Sequence, residues 1–104
     1  MPQKTIAGKE VEVNEEGFLQ NPNDWSKEVA KEIAKEEGLE LGDKHWQVID
    51  YMRSDFQETE KSPTVRRITK NSGINTKDLY QLFPGGPGKK AAKIAGVPKP
   101  VGCV

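Results

Sequence analysis

The chain holds one cysteine and one histidine in 104 residues, Cys103 and His45. A single thiol excludes a disulfide within the chain, and the lone histidine leaves no Cys/His grouping at zinc-ligand spacing. No metal or other cofactor is therefore expected. Long apolar runs are missing as well. Nothing approaches the roughly 18 residues of a membrane span, and the opening MPQKTIAGKE lacks the apolar stretch of a secretory signal. These absences lead to the expectation of a cytoplasmic protein in a reducing compartment, without a membrane partner. Enzyme signatures are scarce too. PGGPGKK has glycines and lysines but neither the spacing nor the preceding apolar strand of a phosphate-binding loop. The carboxylates fall on helix surfaces and turns, so no acid–base pair can be singled out, and self-contained hydrolytic catalysis is not expected.

What is present is lean but sufficient for one domain. Hydrophobic residues make up 34% and charged residues 31%, with two Trp, three Phe and two Tyr as large anchors. The formal charge of zero conceals an asymmetry. Residues 1 to 60 carry fifteen Asp/Glu against seven Lys/Arg, a net of minus 8, whereas residues 61 to 104 carry nine Lys/Arg against Asp78 alone, a net of plus 8. Such polarity either holds the two halves together or presents a basic face to an acidic partner or a polynucleotide.

Periodicity predicts a small N-terminal β-hairpin and five short helices. KTIAGKEVEV alternates around Ala7-Gly8-Lys9, with Ile6, Val11 and Val13 as strand formers. Trp25, Val29, Ile33 and Ala34 recur at helical spacing behind Asn23 or Asp24 as cap, and Gly38 stops that helix. Its outer face sets Glu28 near Lys31 and Glu32 near Lys35. Asp43 is the expected cap of a second helix with Trp46, Ile49, Met52 or Arg53, and Phe56 on one stripe. His45 opens that stripe as a packed or capping residue, since no partner in the sequence suggests a proton relay. Ser62-Pro63 starts a third helix, Thr64 to Asn71, with Gly73 as its stop. A fourth spans about Thr76 to Phe83, and Pro87 opens a fifth that runs to Ala95.

The third and fourth helices have helix-turn-helix spacing, with Thr69, Gly73 and Leu79 as small residue, turn glycine and buried aliphatic. Arg66, Arg67, Lys70 and Lys77 add charge, so a DNA-binding regulator using Arg66, Lys70 and Lys77 is one reading. The would-be recognition helix is short. Its apolar residues leave mainly Asn75, Lys77, Asp78 and Gln81 to read bases, and nucleic acid is not the expected partner.

The tail GVPKPVGCV is unusual. Proline at alternate positions biases Val97 to Val101 toward extended or polyproline II backbone, and Gly102 removes bulk beside the thiol. From the residues alone Cys103 is either an incidental terminal cysteine or a thiol in use, and an exposed thiol that oxidises freely is one a chain gains by avoiding.

NEEGFLQNPNDW, the His45-Trp46 pair, SPTVRRITK, LYQLFPGGPGKKAAKIAG and PKPVGCV together resemble the DsrC/TusE proteins, also described as sulfite reductase gamma subunits, over nearly the whole chain. The resemblance implies a mainly α fold, a small orthogonal helical bundle with a helix-turn-helix-like core, a short N-terminal hairpin and an extended C-terminal arm. It divides the chain into a helical domain, 1–96, and a flexible arm carrying the cysteine, 97–104. It implies that Cys103 carries sulfur as a persulfide, between an upstream persulfide donor protein and a downstream acceptor enzyme. Such a chain is a sulfurtransferase-type carrier rather than a self-contained enzyme. Lys93, Lys99 and Gly102 are then candidates for partner docking. Members that serve dissimilatory sulfite reductase have a second cysteine just before IAG, where this chain has Ala92, so its single-cysteine pattern is similar to TusE and a relay toward tRNA 2-thiolation. A sulfite reductase partner is the alternative.

Overall fold

The computed structural model describes residues 3–99. Strands β1 (Gln3–Ile6) and β2 (Lys9–Glu12) pair antiparallel, Gln3 opposite Glu12 and Ile6 opposite Lys9. Only Ala7 and Gly8 separate them, at φ of 53° and 77°, the left-handed backbone that a two-residue hairpin needs to match strand twist. Ile6, Val11 and Val13 face inward. A 3₁₀ turn (Pro22–Asp24) leads to α1 (Lys27–Glu36), followed by α2 (Asp43–Thr59), α3 (Val65–Asn71), α4 (Thr76–Leu82) and α5 (Pro87–Ala95). The architecture is mainly helical with one small sheet, as the resemblance implies.

Several boundaries differ from the periodic reading, each for a local reason. Ser26 caps α1, its hydroxyl accepting from Val29 N–H at 3.2 Å. Asn23 and Asp24 belong instead to the 3₁₀ turn, because Trp25 is drawn away to the end of α5 and the helix can begin only after it. Gly42, not Asp43, occupies the cap position of α2. Having no side chain to give, it is served by His45, whose Nδ1 accepts from the Gly42 N–H at 3.1 Å. The acceptor role of Nδ1 places the ring proton on Nε2, which reaches the carbonyl of Leu82 at 2.9 Å, and the ring meets Phe83 edge-on at 5.2 Å. His45 is thus the packed, capping residue expected, joining α2 to the end of α4. Thr64 caps α3, and Asn75 caps α4. Gly38 ends α1 at φ 76° as expected, with Leu39 N–H bonded back to Ala34. The pairs Glu28–Lys31 and Glu32–Lys35 do not close to ion-pair distance; Glu36 on that helix pairs with Lys4 of β1.

The core surrounds α5, which packs on α1, α2 and α4. Its Ala91, Ala92, Ile94 and Ala95 are buried, as are Ala30 and Ala34 of α1, and these small side chains let neighbouring elements lie close. Phe18 and Phe83 are the largest fully buried side chains, each a residue whose truncation would cost about 3–5 kcal/mol.

Charge asymmetry has a structural counterpart. Among the described residues, five of seven ion pairs join a carboxylate or lysine of the first sixty residues to an opposite charge beyond them. The one with the most buried carboxylate joins Asp55 of α2 to Arg67 of α3. Arg67 Nε lies 3.0 Å from both carboxylate oxygens and Nη2 lies 2.7 Å from Oδ1. The Asp55 side chain is only 5% exposed, so this guanidinium compensates a carboxylate that water hardly reaches. The pairing and the Asp55 charge raise the Arg67 pKa above its ordinary value. Arg67→Ala should clearly lower the urea midpoint of unfolding by leaving the buried Asp55 carboxylate unpaired, whereas Arg66→Ala, at the neighbouring exposed position, should leave it nearly unchanged. Urea denaturation distinguishes them, and equal small effects would show that Asp55 is solvated without its partner.

Candidate functional site

Cys103 and Gly102 lie outside the described residues, so the site is built from where the chain leaves α5 and from what surrounds that point. Helix α5 ends at Gly96, whose φ of 72° is the left-handed turn that lets the amides of Gly96 and Val97 bond back to Lys93 and Ala92. The next carbonyls, left open by the helix end, are taken by side chains from elsewhere. Trp25 Nε1 donates to Ile94 O at 2.9 Å, and Arg53 Nη1 donates to Ala95 O at 2.8 Å. The Arg53 guanidinium also lies 4.0 Å above the Trp25 ring, a cation–π contact at the negative end of the α5 dipole. Burial there pulls the Arg53 pKa below its ordinary value. Gly96 passes so close beneath the indole that an added Cβ would lie 2.4 Å from Trp25 Cδ1.

Beyond this junction Val97 to Lys99 stay against the body. Val97 is buried at 1% exposure, and the Ser62 hydroxyl, in the loop between α2 and α3, donates to Pro98 O. Lys99 meets Glu16 at 3.3 Å. Glu16 sits in a tight turn where Asn14 Oδ1 accepts from the amides of Glu16 and Phe18, burying Phe18 and turning Glu16 outward. The same carboxylate takes Lys89 of α5 at 2.9 Å. Those hydrogen bonds, Lys89 first and Lys99 next, hold the Glu16 carboxyl below the usual glutamate range. Lys93, one turn after Lys89, pairs with Glu37 at 2.9 Å and lowers its pKa likewise. Glu16, Glu37, Gly85, Lys89, Lys90 and Lys93 together line a cleft of about 290 Å³.

The two docking candidates inside the described residues, Lys93 and Lys99, therefore come together at the departure of the tail, each already paired with a carboxylate of the acidic half. The DNA-binding candidates divide. Arg66 and Lys70 border an open hollow of about 600 Å³ between α2 and α3, but Lys77 on α4 does not line it. Arg67 is occupied by Asp55, which removes one cation from the basic surface that the sequence suggests. Sequence reasoning missed Trp25, Arg53, Ser62, Glu16 and Glu37 as neighbours of the tail. The available signal was Arg53 in an apolar stripe where Met52 also fits. Among the described residues no group of three or more His, Cys, Asp or Glu could hold a metal ion, and no helix is long and apolar enough to cross a membrane.

Residues 5–104 match the family model described as DsrC like protein. The chain is 41% identical over 105 residues to the dissimilatory-type sulfite reductase subunit gamma of Nitratidesulfovibrio vulgaris Hildenborough, covering all of both chains. It is 41% identical over 104 residues to sulfurtransferase TusE of Escherichia coli K12, covering 93% of this chain and 95% of that one. The solution structure of Allochromatium vinosum DsrC superposes with a TM-score of 0.85 at 43% identity, over 98% of this chain and 97% of that one.

Two outcomes follow from the junction. Gly96→Ala should destabilise the fold by about 3 kcal/mol or more, combining left-handed strain with a clash against Trp25. Gly38→Ala, at φ 76° with nothing within 4 Å, should cost only about 1 kcal/mol. Urea denaturation followed by tryptophan emission measures both, and equal losses would dismiss the indole contact. Glu37, with its pKa lowered on folding, contributes stability that is complete above the unfolded value of about 4.3 and is lost as pH falls through the lower folded value. The stability gap between the parent chain and Glu37→Gln should therefore shrink between about pH 6 and about pH 3; a constant gap in urea titrations would rule out the Lys93 pairing as its source.

Proposed function

The chain belongs to the DsrC like protein family, and from that premise we propose that it is a sulfur carrier whose working atom is the thiol of Cys103. The observation that carries this reading is the built departure point: four side chains, from Trp25, Arg53, Ser62 and Glu16, hold Ile94 to Lys99 in place just ahead of the chain's one cysteine. An incidental terminal thiol has no need of so defined a root.

The chemistry requires access rather than a built-in base. The Cys103 thiolate attacks the outer sulfur of a donor persulfide, the donor's S–S bond breaks, and the donor leaves as a thiolate while Cys103 becomes a persulfide. An acceptor thiolate then attacks that outer sulfur and releases Cys103 as thiolate. One S–S bond forms for each one broken, with no net oxidation. Within the 97–104 arm, Val97 to Lys99 form the held root and the residues beyond deliver the sulfur, with Gly102 leaving room for a partner's wall beside it. With Ala92 where a second cysteine would be needed and one thiol in the chain, an intrachain disulfide or trisulfide cannot form, which favours a TusE-like relay, toward tRNA 2-thiolation or related sulfur trafficking. Partnership with a dissimilatory sulfite reductase is the second reading, favoured by the full-length match to a gamma subunit.

Incubation with a low-molecular-weight persulfide should add sulfur to Cys103, seen by intact-mass and peptide mass spectrometry and abolished in Cys103→Ser. An unmodified thiol beside a competent control acceptor would refute the carrier reading. Tight, sequence-selective duplex binding that survives Cys103→Ser and falls with Arg66→Ala would install the DNA-binding reading in its place.

A further inference from the structure

We infer that the lysine-lined cleft at the root of the tail is a docking surface for a protein partner bearing an acidic rim, with Lys90 as its principal uncommitted cation. This deepens the sulfur-carrier reading and rests on it only for the partner's role as giver or taker of sulfur. Lys89, Lys90 and Lys93 follow one another on α5, and Lys99 joins Lys89 at Glu16. Four ammonium groups thus meet two carboxylates, Glu16 and Glu37, leaving an excess positive charge of two. Glu16 is shared by two lysines, while Lys90 has no carboxylate at ion-pair distance among the described residues.

The pairs differ in how readily they exchange. The side chains of Lys89, Lys99 and Glu16 are 45%, 42% and 41% exposed, so those contacts are screened and replaceable. Lys93 and Glu37 are 22% and 25% exposed and form the more fixed floor. A partner carboxylate arriving at Lys90, and substituting for Glu16 at Lys89 or Lys99, exchanges like for like. Glu16 and Glu37 also discriminate among anions. They interrupt the lysine series and deny a phosphodiester backbone the continuous positive track it follows, whereas spaced carboxylates on a folded protein can interleave with them. The position fits the role, because any protein that receives the tail beyond Lys99 must bring its entrance up to this face.

The test is an amide-shift titration of the full-length, ¹⁵N-labelled chain with a hexa-aspartate peptide at low salt. Shifts should centre on Lys89, Lys90, Lys93, Lys99 and the Glu16 turn and should fade with added salt. Lys90→Glu should weaken peptide binding by about threefold to tenfold, and Arg66→Glu on α3 by about twofold or less. Shifts centred on Arg66 to Asn71, equal shifts with an uncharged peptide, tighter binding of an oligothymidylate of equal charge, or equally strong saturation by inorganic phosphate would each overturn the proposal. If the parent chain itself accepts no sulfur, the carrier reading fails while the peptide titration still decides the docking surface.

Discussion

The contact between Trp25 and Gly96 is the constraint on which the arrangement of this protein turns. A tryptophan ahead of α1 lies on the last turn of α5 at a distance only glycine permits, and that glycine needs its positive φ to end the helix. One residue thus meets two demands that no other residue can meet together. The indole N–H takes the carbonyl of Ile94, and Arg53 covers the ring and takes the carbonyl of Ala95. Three segments far apart in sequence are fixed at one point, and the direction of Val97 to Lys99 is set by it. The lateness of the α1 cap at Ser26 has the same origin, since the backbone around Trp25 must first reach across to α5.

Electrostatics adds a second layer of organisation. The acidic first sixty residues and the basic remainder are not two separated faces, because most of the ion pairs among the described residues cross between them. Asp55, the most buried carboxylate among them, pairs with Arg67 and secures α3 to α2. Those around Glu16 are surface contacts of the kind that salt and competing charges replace. The two alternatives that composition raises, halves held together or a basic face presented, are therefore both realised in different places: cohesion beneath α3 and residual positive charge along α5.

Legibility in the sequence follows the range of the interactions. Helix periods, the stop at Gly38, the opening of α5 by Pro87 and the Ala7-Gly8 hairpin turn depend on neighbours a few residues away, and all are readable from local pattern. Caps were less so. Asp43 is a good cap by type, but Gly42 holds the position because His45 supplies the reciprocal bond. Arg67 reads as one of four surface cations until Asp55, twelve positions earlier and on another helix, is found against it. Arg53 and Trp25 could not be joined to the tail by any local rule, since their partners are carbonyls of the backbone forty or more residues away. Lys93 and Lys99 were readable as charges near the cysteine, but their carboxylate partners were not.

The holding of Pro98 by Ser62 and of Lys99 by Glu16 makes the tail a leash of fixed length. Cys103 is the fourth residue after Lys99, a span of at most about 14 Å when fully drawn out. A partner whose reactive atom lies within that depth of its own rim can be served with the root undisturbed. One whose target is deeper must unfasten Lys99, then Pro98, and finally lift Val97 from the core, each step adding a few ångströms of reach for a rising loss of contact. On the proposed carrier role, depth of the receiving channel becomes an energetic scale, by which the tail would discriminate among partners according to how far in they ask the sulfur to travel.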